Sequence, residues 1–344
     1  LKIEGLSGLF ANGLRVFAVS PANSVANSPT NIFDAAATPA HDIVGLSTLV
    51  FGITAGIFVV VAGLLLYALI RYRARTEDPA HEQEPPQIYG SNQIELSWTV
   101  VPVLIVVMLF LATTRVIYMT ENAHKPKNSV DVTVVGHQFW WEFHYPQLGV
   151  VTANELHVPV SDPKHPTPTY LELTSADMDH SFWVPKLAGK MDAIPNHVNT
   201  MWFDPIKPGL YLGQCSQYCG TQHAKMLIRV YADTPDQFAA WIAHQKQPAA
   251  QDPAVAEGAA VFQHNACINC HAIRGTVANG RFGPDLTHVG GRDTIASGAV
   301  PNNPVNLRAF INNPATFKPG VLMPPMHLND HDLDAVTAYL TSLK

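Results

Sequence analysis

Charge is what this sequence has least of. Asp, Glu, Lys and Arg make up only 14% of its 344 residues, while hydrophobic side chains reach 47%. Soluble proteins carry about 25% charged residues, so the imbalance argues against a chain wholly surrounded by water and for membrane spans. The formal net charge is −6 and no basic run occurs, which sets nucleic acid aside as a partner. Cysteine is equally sparse, with four in all. They fall into two pairs, Cys215/Cys219 and Cys267/Cys270, so none is spare for a framework of structural disulfides. The length allows two or three compact units.

What is present begins with two uncharged stretches. Ile43 to Ile70 gives 28 residues without a formal charge and Leu96 to Thr114 gives another 19; a helical span needs about 20. Two buried core helices are the bland reading. A pair joined by a turn-rich loop favours a transmembrane hairpin, with helix 1 over 43–70, a loop over 71–94 and helix 2 over 95–118. Arg71, Arg73 and Arg75 follow the first stretch, and clustered arginines mark the cytoplasmic side of a membrane. Both flanks, residues 1–42 and everything from 119 onward, are therefore expected outside. In the first flank, Leu9 to Ser20 is mildly apolar and reads as the remnant of a signal segment, and Ala22 to Ala40 reads as an extended arm.

After Tyr118 come short β-rich runs at Val130–Val135, Glu155–Val160, Tyr170–Thr174, Val198–Phe203, Leu210–Gln214 and Met226–Tyr231. Turn clusters such as Asp204-Pro-Ile-Lys-Pro-Gly209 separate them. The spacing predicts a Greek-key sandwich or barrel over 119–244, closed by a helix over Thr234 to His244. Between the last two runs lies Cys215-Ser-Gln-Tyr-Cys219-Gly-Thr-Gln-His223-Ala-Lys-Met226, which gathers two thiols, an imidazole and a thioether. Soft thiolate and thioether donors beside His point to copper, and two cysteines at this spacing can bridge a pair of metals. A second histidine must come from elsewhere, and His180 in Asp177-Met-Asp-His-Ser-Phe-Trp-Val-Pro185 is the candidate. The competing reading is a Cys215–Cys219 disulfide with His223 and Met226 as incidental neighbours.

Gln245 to Pro253 is polar, contains Pro and has no period, so it reads as a linker. Beyond it, Cys267-Ile-Asn-Cys270-His271 is the C-x-x-C-H attachment signal of c-type haem: two thiols become thioethers to the porphyrin and the adjacent His binds iron. Zinc binding is the lesser alternative, since this module, 254–344, has no second cysteine pair. Ala254 to His264 predicts an opening helix whose Gly258 permits close approach of a closing helix over Asp330 to Leu343, with Asn329 or Asp330 as its cap. The second axial ligand is expected from Lys318-Pro-Gly-Val-Leu-Met323-Pro-Pro-Met326-His327, with Met323 first, Met326 its rival and His327 the bis-His alternative.

The hairpin, the copper-type loop and His180 together resemble subunit II of the haem-copper cytochrome c oxidases. The C-terminal module resembles a small class I cytochrome c, as in the caa-type oxidases that carry one fused behind subunit II. The resemblance runs from about residue 41 onward. It implies a two-helix transmembrane hairpin, an all-β cupredoxin-like Greek-key domain and an all-α class I cytochrome c domain. It implies a dinuclear CuA centre in which Cys215 and Cys219 bridge both coppers, His180 and Met226 complete one, and His223 with the Gln217 carbonyl completes the other. Gln217 stands where the family usually has Glu. A backbone ligand survives that exchange, whereas the family's side-chain contact to a Mg ion loses its carboxylate.

For the covalent haem c the resemblance implies Cys267, Cys270, His271 and Met323, with the Pro284 carbonyl of Gly283-Pro-Asp-Leu286 accepting a hydrogen bond from the proximal His. Electrons enter CuA in the family through a surface aromatic, usually Trp, at the position of Phe139 in Gly136-His-Gln-Phe-Trp-Trp-Glu-Phe-His-Tyr145. Either Phe139 or Trp140 is expected in that role here. Glu95 in Glu95-Leu-Ser-Trp98-Thr-Val-Val-Pro102 matches the carboxylate at the mouth of a proton path into subunit I. Eleven acidic against six basic side chains over 128–244 suit a cationic electron donor. The function implied is the electron-input subunit of a respiratory oxidase in a bacterial inner membrane, its metal domains on the periplasmic face. Electrons would come from a cytochrome c or a quinol-oxidising complex and leave through haem c and CuA for the haems of subunit I, where oxygen is reduced to water with proton pumping. Subunit III and membrane lipid are further expected partners, and no catalytic residue is expected in this chain itself. The alternatives are the CuA subunit of a nitric oxide reductase, and a membrane-anchored copper chaperone or electron shuttle acting without subunit I. A chaperone would have Pro after its second Cys, where Gly220 stands.

Overall fold

Long uncharged sequence becomes long helix, because only a helix satisfies every backbone group within its own segment in an apolar medium. In the computed structural model, which describes residues 30–73, 87, 89–121, 125–127, 129–164 and 166–344, helix α1 covers Thr38–Arg71 and helix α2 covers Asn92–Glu121. Leu9 to Ser20 and Arg75 lie outside the described residues. The helices have 34 and 30 residues, about 50 and 45 Å at 1.5 Å per residue, so each is longer than a hydrocarbon core of about 30 Å. Their mean hydropathies reach 2.7 and 2.5, and their large side chains are exposed. Such a surface is stable only against lipid or another apolar chain. The start of α1 is tied to the module that follows, where Thr38 N and Oγ1 donate to the Asp204 carboxylate (2.7 and 2.6 Å). The end of α2 is tied to the same module by Trp202 Nε1, which donates to Thr120 O (2.7 Å).

Ten strands form two five-stranded sheets. The first contains β1 (Val130–His137), β2 (Trp140–Tyr145), β3 (Val150–Ala153), β5 (Thr169–Ser175) and β8 (Asn199–Phe203), in the order β3-β2-β1-β5-β8. The second contains β4 (Glu155–Pro159), β6 (His180–Trp183), β7 (Met191–Ala193), β9 (Gly209–Cys215) and β10 (Leu227–Asp233), in the order β4-β10-β9-β6-β7. The pairs β1–β5 and β4–β10 are parallel and the rest antiparallel. Trp141, Phe143, Phe182 and Phe203 are fully buried in the core between the sheets. Helix α3 (Pro235–Gln245) closes the sandwich; Thr234 and Gln237 form its capping box, and Phe238 and Trp241 pack on Tyr145. Four of these strands, β2, β3, β6 and β7, are absent from the sequence expectation. In β2, Trp141, Phe143 and Tyr145 alternate with Glu142 and His144, and only the leading Trp140 breaks the period; the other three have only three or four residues.

The last module is helical, with α4 (Ala256–His264), α5 (Cys267–Cys270), α6 (Pro304–Asn312) and α7 (Asp330–Ser342). Its one hairpin pairs β11 (Thr294–Ile295) with β12 (Val300–Pro301). α4 crosses α7 at Gly258, where an added Cβ would lie 2.0 Å from Ala335 O. Asn329 caps α7, accepting from Asp332 N (2.9 Å). The segment read as a linker is bonded to the helical module along its length. Arg274 Nη1 donates to Gln245 O and Ala249 N donates to Arg274 O, both at 2.9 Å, and His288 Nε2 lies 3.1 Å from Gln247 O. The helical module also packs on the sandwich. The buried Glu155 carboxylate of β4 accepts from Asp293 N (3.2 Å), Thr294 N (2.9 Å) and Thr294 Oγ1 (2.9 Å).

Candidate metal centres

The soft-donor loop leaves β9 at Cys215 and re-enters the sheet after Met226, and Cys215 N donates to Met226 O (2.9 Å) to close its neck. β6 pairs Phe182 with Cys215, which brings His180 over the loop. Donor atoms then converge on the thiols. Cys215 Sγ lies 3.8 Å from Cys219 Sγ, 3.9 Å from His180 Nδ1 and 3.2 Å from Gln217 O. Cys219 Sγ lies 3.7 Å from His223 Nδ1 and 3.9 Å from Met226 Sδ. A disulfide needs about 2.05 Å, so the pair is free, and His180, both cysteines and Met226 are buried. Two thiols, two imidazoles, a thioether and a carbonyl around one sulfur edge fit a dinuclear copper centre. The S–H of Cys219 holds the Cys215 thiol well below the usual thiol range, and the same contact pushes Cys219 up. The pair thus keeps one proton that a bound metal would release.

Asp177 organises the surroundings of this loop. Its Oδ1 lies 2.8 Å from His180 Nε2, which fixes the tautomer that leaves Nδ1 for a metal. Burial works against protonation of His180, but Asp177 and Cys215 together leave its pKa raised. The other oxygen, Oδ2, accepts from Gln138 N (2.6 Å). Burial likewise opposes ionisation of Asp177, but the His180 ring and the N–H groups of Gln138 and Met178 outweigh it and hold the carboxyl below its ordinary range. Gln138 Nε2 donates to Cys219 O (2.8 Å), and the Phe139 ring packs on Gly220. A Cβ at Gly220 would lie 3.1 Å from that ring, and its φ of +121° is itself a glycine conformation.

Contrary to the expectation of a surface site, Phe139 and Trp140 are buried, at 4% and 8% exposure. The helical module covers them, and both line its apolar cavity. Cys267, Cys270, His271, Met323 and Met326 line the same cavity. The thiols stand one helical turn apart on α5, and His271 Nδ1 lies 2.8 Å from Pro284 O, which leaves Nε2 for iron. Burial lowers the His271 pKa and keeps the ring neutral, the form a metal binds. These walls and donors fit a covalent haem. His327 is exposed and is not among the lining residues, whereas Met323 and Met326 are both half-buried. Glu95 lies in the first turn of α2, exposed, at the end of the hairpin away from the sandwich.

Three contributors escaped the sequence reading: Asp177, Lys318 and Ser297. The first could have been found as a carboxylate three residues before a candidate ligand. The others have no local signal, because their roles exist only where two modules meet. Lys318 and Ser297 come from the helical module, and both reach the Phe139 carbonyl.

Comparison with known proteins agrees for each of the three modules. Residues 26–116 match the transmembrane domain of cytochrome c oxidase subunit II, 163–232 its periplasmic domain and 255–344 cytochrome c. Cytochrome c oxidase subunit 2 of Alkalihalophilus pseudofirmus is 35% identical over 295 residues, 83% of this chain and 82% of that protein. The protein of the same name from Bacillus sp. strain PS3 is 35% identical over 76% of this chain and 77% of its own. The solved periplasmic domain of subunit II of cytochrome oxidase from Bradyrhizobium japonicum is 31% identical over 35% of this chain and 96% of that one, with a TM-score of 0.33. The subunit II match implies CuA, with His180, Cys215 and Cys219 suited to hold it. The cytochrome c match implies haem c, with Cys267 and Cys270 suited to attach it. A membrane-anchored chain of this kind is the electron-input part of a respiratory oxidoreductase complex and has subunit I as its partner. With apolar hairpin, copper sandwich and haem module in one polypeptide, the chain belongs to the cytochrome c oxidase subunit 2 family, in the form that carries a cytochrome c domain.

Proposed function

We propose that this chain relays electrons inward across the wall shared by its two metal modules. When bound, haem c and CuA supply a one-electron relay from a cytochrome c or a quinol-oxidising complex to the haems of subunit I, where oxygen is reduced to water with proton pumping. The observation that carries the reading is the double contact of Phe139, which lines the haem cavity and packs on Gly220 beside Cys219. Phe139, with Trp140 next to it, is the conduit between the modules. His180 and Met226 would complete one copper, and His223 with the Gln217 carbonyl the other. His180 and the Gln217 carbonyl lie at Cys215, and His223 and Met226 at Cys219. Cys267, Cys270 and His271 would hold the haem, and Met323 would be the second residue to bind its iron.

Glu95 marks the mouth of a proton path into subunit I, at the cytoplasmic end of the hairpin. The membrane is a bacterial inner membrane, with lipid and subunit III against the exposed helices and the metal modules on the periplasmic side. Arg71 in the last turn of α1 supports that orientation. The domains run as hairpin to 118, copper sandwich over 119–244, linker over 245–253 and cytochrome c over 254–344. Metal analysis and EPR of the full-length chain test the reading. Two coppers per haem sharing one unpaired electron are expected. A single copper with a localised spectrum, or none, sinks it.

A further inference from the structure

Lys318 is the most unusual side chain in the haem module. It is 2% exposed and, among the described residues, has no carboxylate within ion-pair distance. An unpaired buried ammonium is costly unless its hydrogen bonds are satisfied. Lys318 Nζ donates instead across the module boundary to Phe139 O, and to Ser297 Oγ at 3.0 Å. Ser297 Oγ donates to the same Phe139 carbonyl at 2.6 Å. That carbonyl therefore takes two bonds from the haem module.

The grip is reciprocal. On either side of Lys318, the carbonyls of Phe317 and Pro319 accept from Lys225 Nζ (2.7 Å) and Gln222 Nε2 (2.5 Å), both on the copper loop. Phe317 and Pro319, on the loop that leads to Met323, are thus sewn to the loop that carries His223, and Lys318 between them to the Phe139 carbonyl. Ser297 sits in a turn where Ala296, Ser297 and Gly298 have φ of +55°, +58° and +81°. Two non-glycine residues in left-handed conformation are a strained arrangement that persists only when the surroundings over-determine it. The surroundings here are the copper domain, since Leu227 N donates to Ser297 O at 3.2 Å. Burial pushes the Lys318 ammonium down to about 7, which fits a site built around its hydrogen bonds rather than an ion pair.

We infer that Lys318, with Ser297, is a positioning residue that pins the Phe139 peptide and ties the haem loop to the copper domain, making the two modules a fixed donor–acceptor unit. The inference rests on the relay proposed above. The step it serves is a single-electron transfer in which ferrous haem is oxidised to ferric as one cupric equivalent of the copper pair becomes cuprous, with no bond made or broken.

The test uses the full-length, metal-loaded chain, with haem reduced by a pulse and copper reduction followed optically. Lys318→Met is expected to slow transfer about tenfold or more, since small misplacements of reacting groups cost that much. Copper content, the copper EPR signal and the haem midpoint potential stay as in the wild type, and hydrogen exchange at the Leu227 amide rises. Ser297→Gly, which removes the hydroxyl and tolerates the left-handed φ, gives a smaller slowing. A Lys318→Met chain with wild-type rate and a protected Leu227 amide overturns the inference. Should that variant fail to load metal, a wild-type rate in Ser297→Gly overturns it instead. A wild-type chain that passes no electron from haem to copper overturns the relay itself, an outcome distinct from either.

Discussion

At the scale of single residues, two carboxylates near the metal modules illustrate different uses of charge. Asp177 bonds a candidate ligand with one oxygen and the Gln138 amide with the other, so it sets both the His180 tautomer and the seat of Phe139. Asp177→Asn keeps the shape but loses the charge that holds the His180 N–H. Copper affinity is expected to fall about 10- to 100-fold, the usual effect of removing such a partner. Competition against a chelator of known affinity measures it, and an unchanged affinity would reduce Asp177 to a turn residue. Glu142 lies outside the copper loop, 3.2 Å from both His137 Nε2 and His144 Nε2. Burial alone would raise its pKa, but the bond from His137 and the close approach of the His144 imidazole bring it from 4.5 to about 2. Between those values the unfolded chain binds more protons at this site than the folded one. The stabilisation is therefore complete above pH 4.5 and disappears as the pH falls towards 2. Glu142→Gln is expected to lose less of its urea midpoint than the wild type between pH 5 and pH 3, and parallel losses would refute the assignment.

At the scale of elements, legibility followed how local the physics is. The soft-donor loop and C-x-x-C-H could be read because their chemistry is contained in a dozen residues or fewer, and the hairpin because charge is missing over two whole spans. Gly258 could be read because an opening helix needs a small residue where a closing helix crosses it. β6 could not, since four residues ending in Trp183 have no period, and their strand character comes from pairing with β7 and β9. At the start of β2 only the entry role expected at the surface for Phe139 or Trp140 missed their burial, because the helical module that covers them is distant in sequence, while Trp141, Phe143 and Tyr145 fill the core. The crossing at Gly258 gives an element-scale prediction. A Cβ there meets the Ala335 carbonyl at 2.0 Å, and backbone cannot step aside as a side chain can. Gly258→Val is expected to cost at least about 1–3 kcal/mol and to lower the thermal midpoint of the haem Soret band. The copper signal of the sandwich should stay in place. A variant with the wild-type midpoint would mean that α4 and α7 are not in this contact.

At the scale of the whole molecule, the modules join through polar groups whose partners lie far away in sequence, and this is the part no local reading could supply. Glu155 looks like an ordinary strand residue until Asp293 and Thr294, on the far side of the linker, deliver three hydrogen bonds to it. Tyr231 adds a fourth bond across the same boundary, its hydroxyl donating to Asp293 (2.6 Å). A buried carboxylate at such a boundary stabilises it only while its donors are in place, and the donors are equally dependent on the carboxylate. Glu155→Leu leaves the amide and hydroxyl of Thr294 buried without this acceptor, at about 1–3 kcal/mol for each orphaned group. Glu155→Gln keeps an acceptor oxygen, loses only the charge, and is expected to be much milder. The readout is the gap between two thermal transitions, the haem module followed by its Soret band and the sandwich by its copper absorption. In the Leu variant the gap should widen, as each module melts without support from the other. In the Gln variant it should stay close to the wild type. If the Leu and Gln variants melt alike, the boundary is held by packing rather than by Glu155, and docking of the haem module on the sandwich would survive its loss.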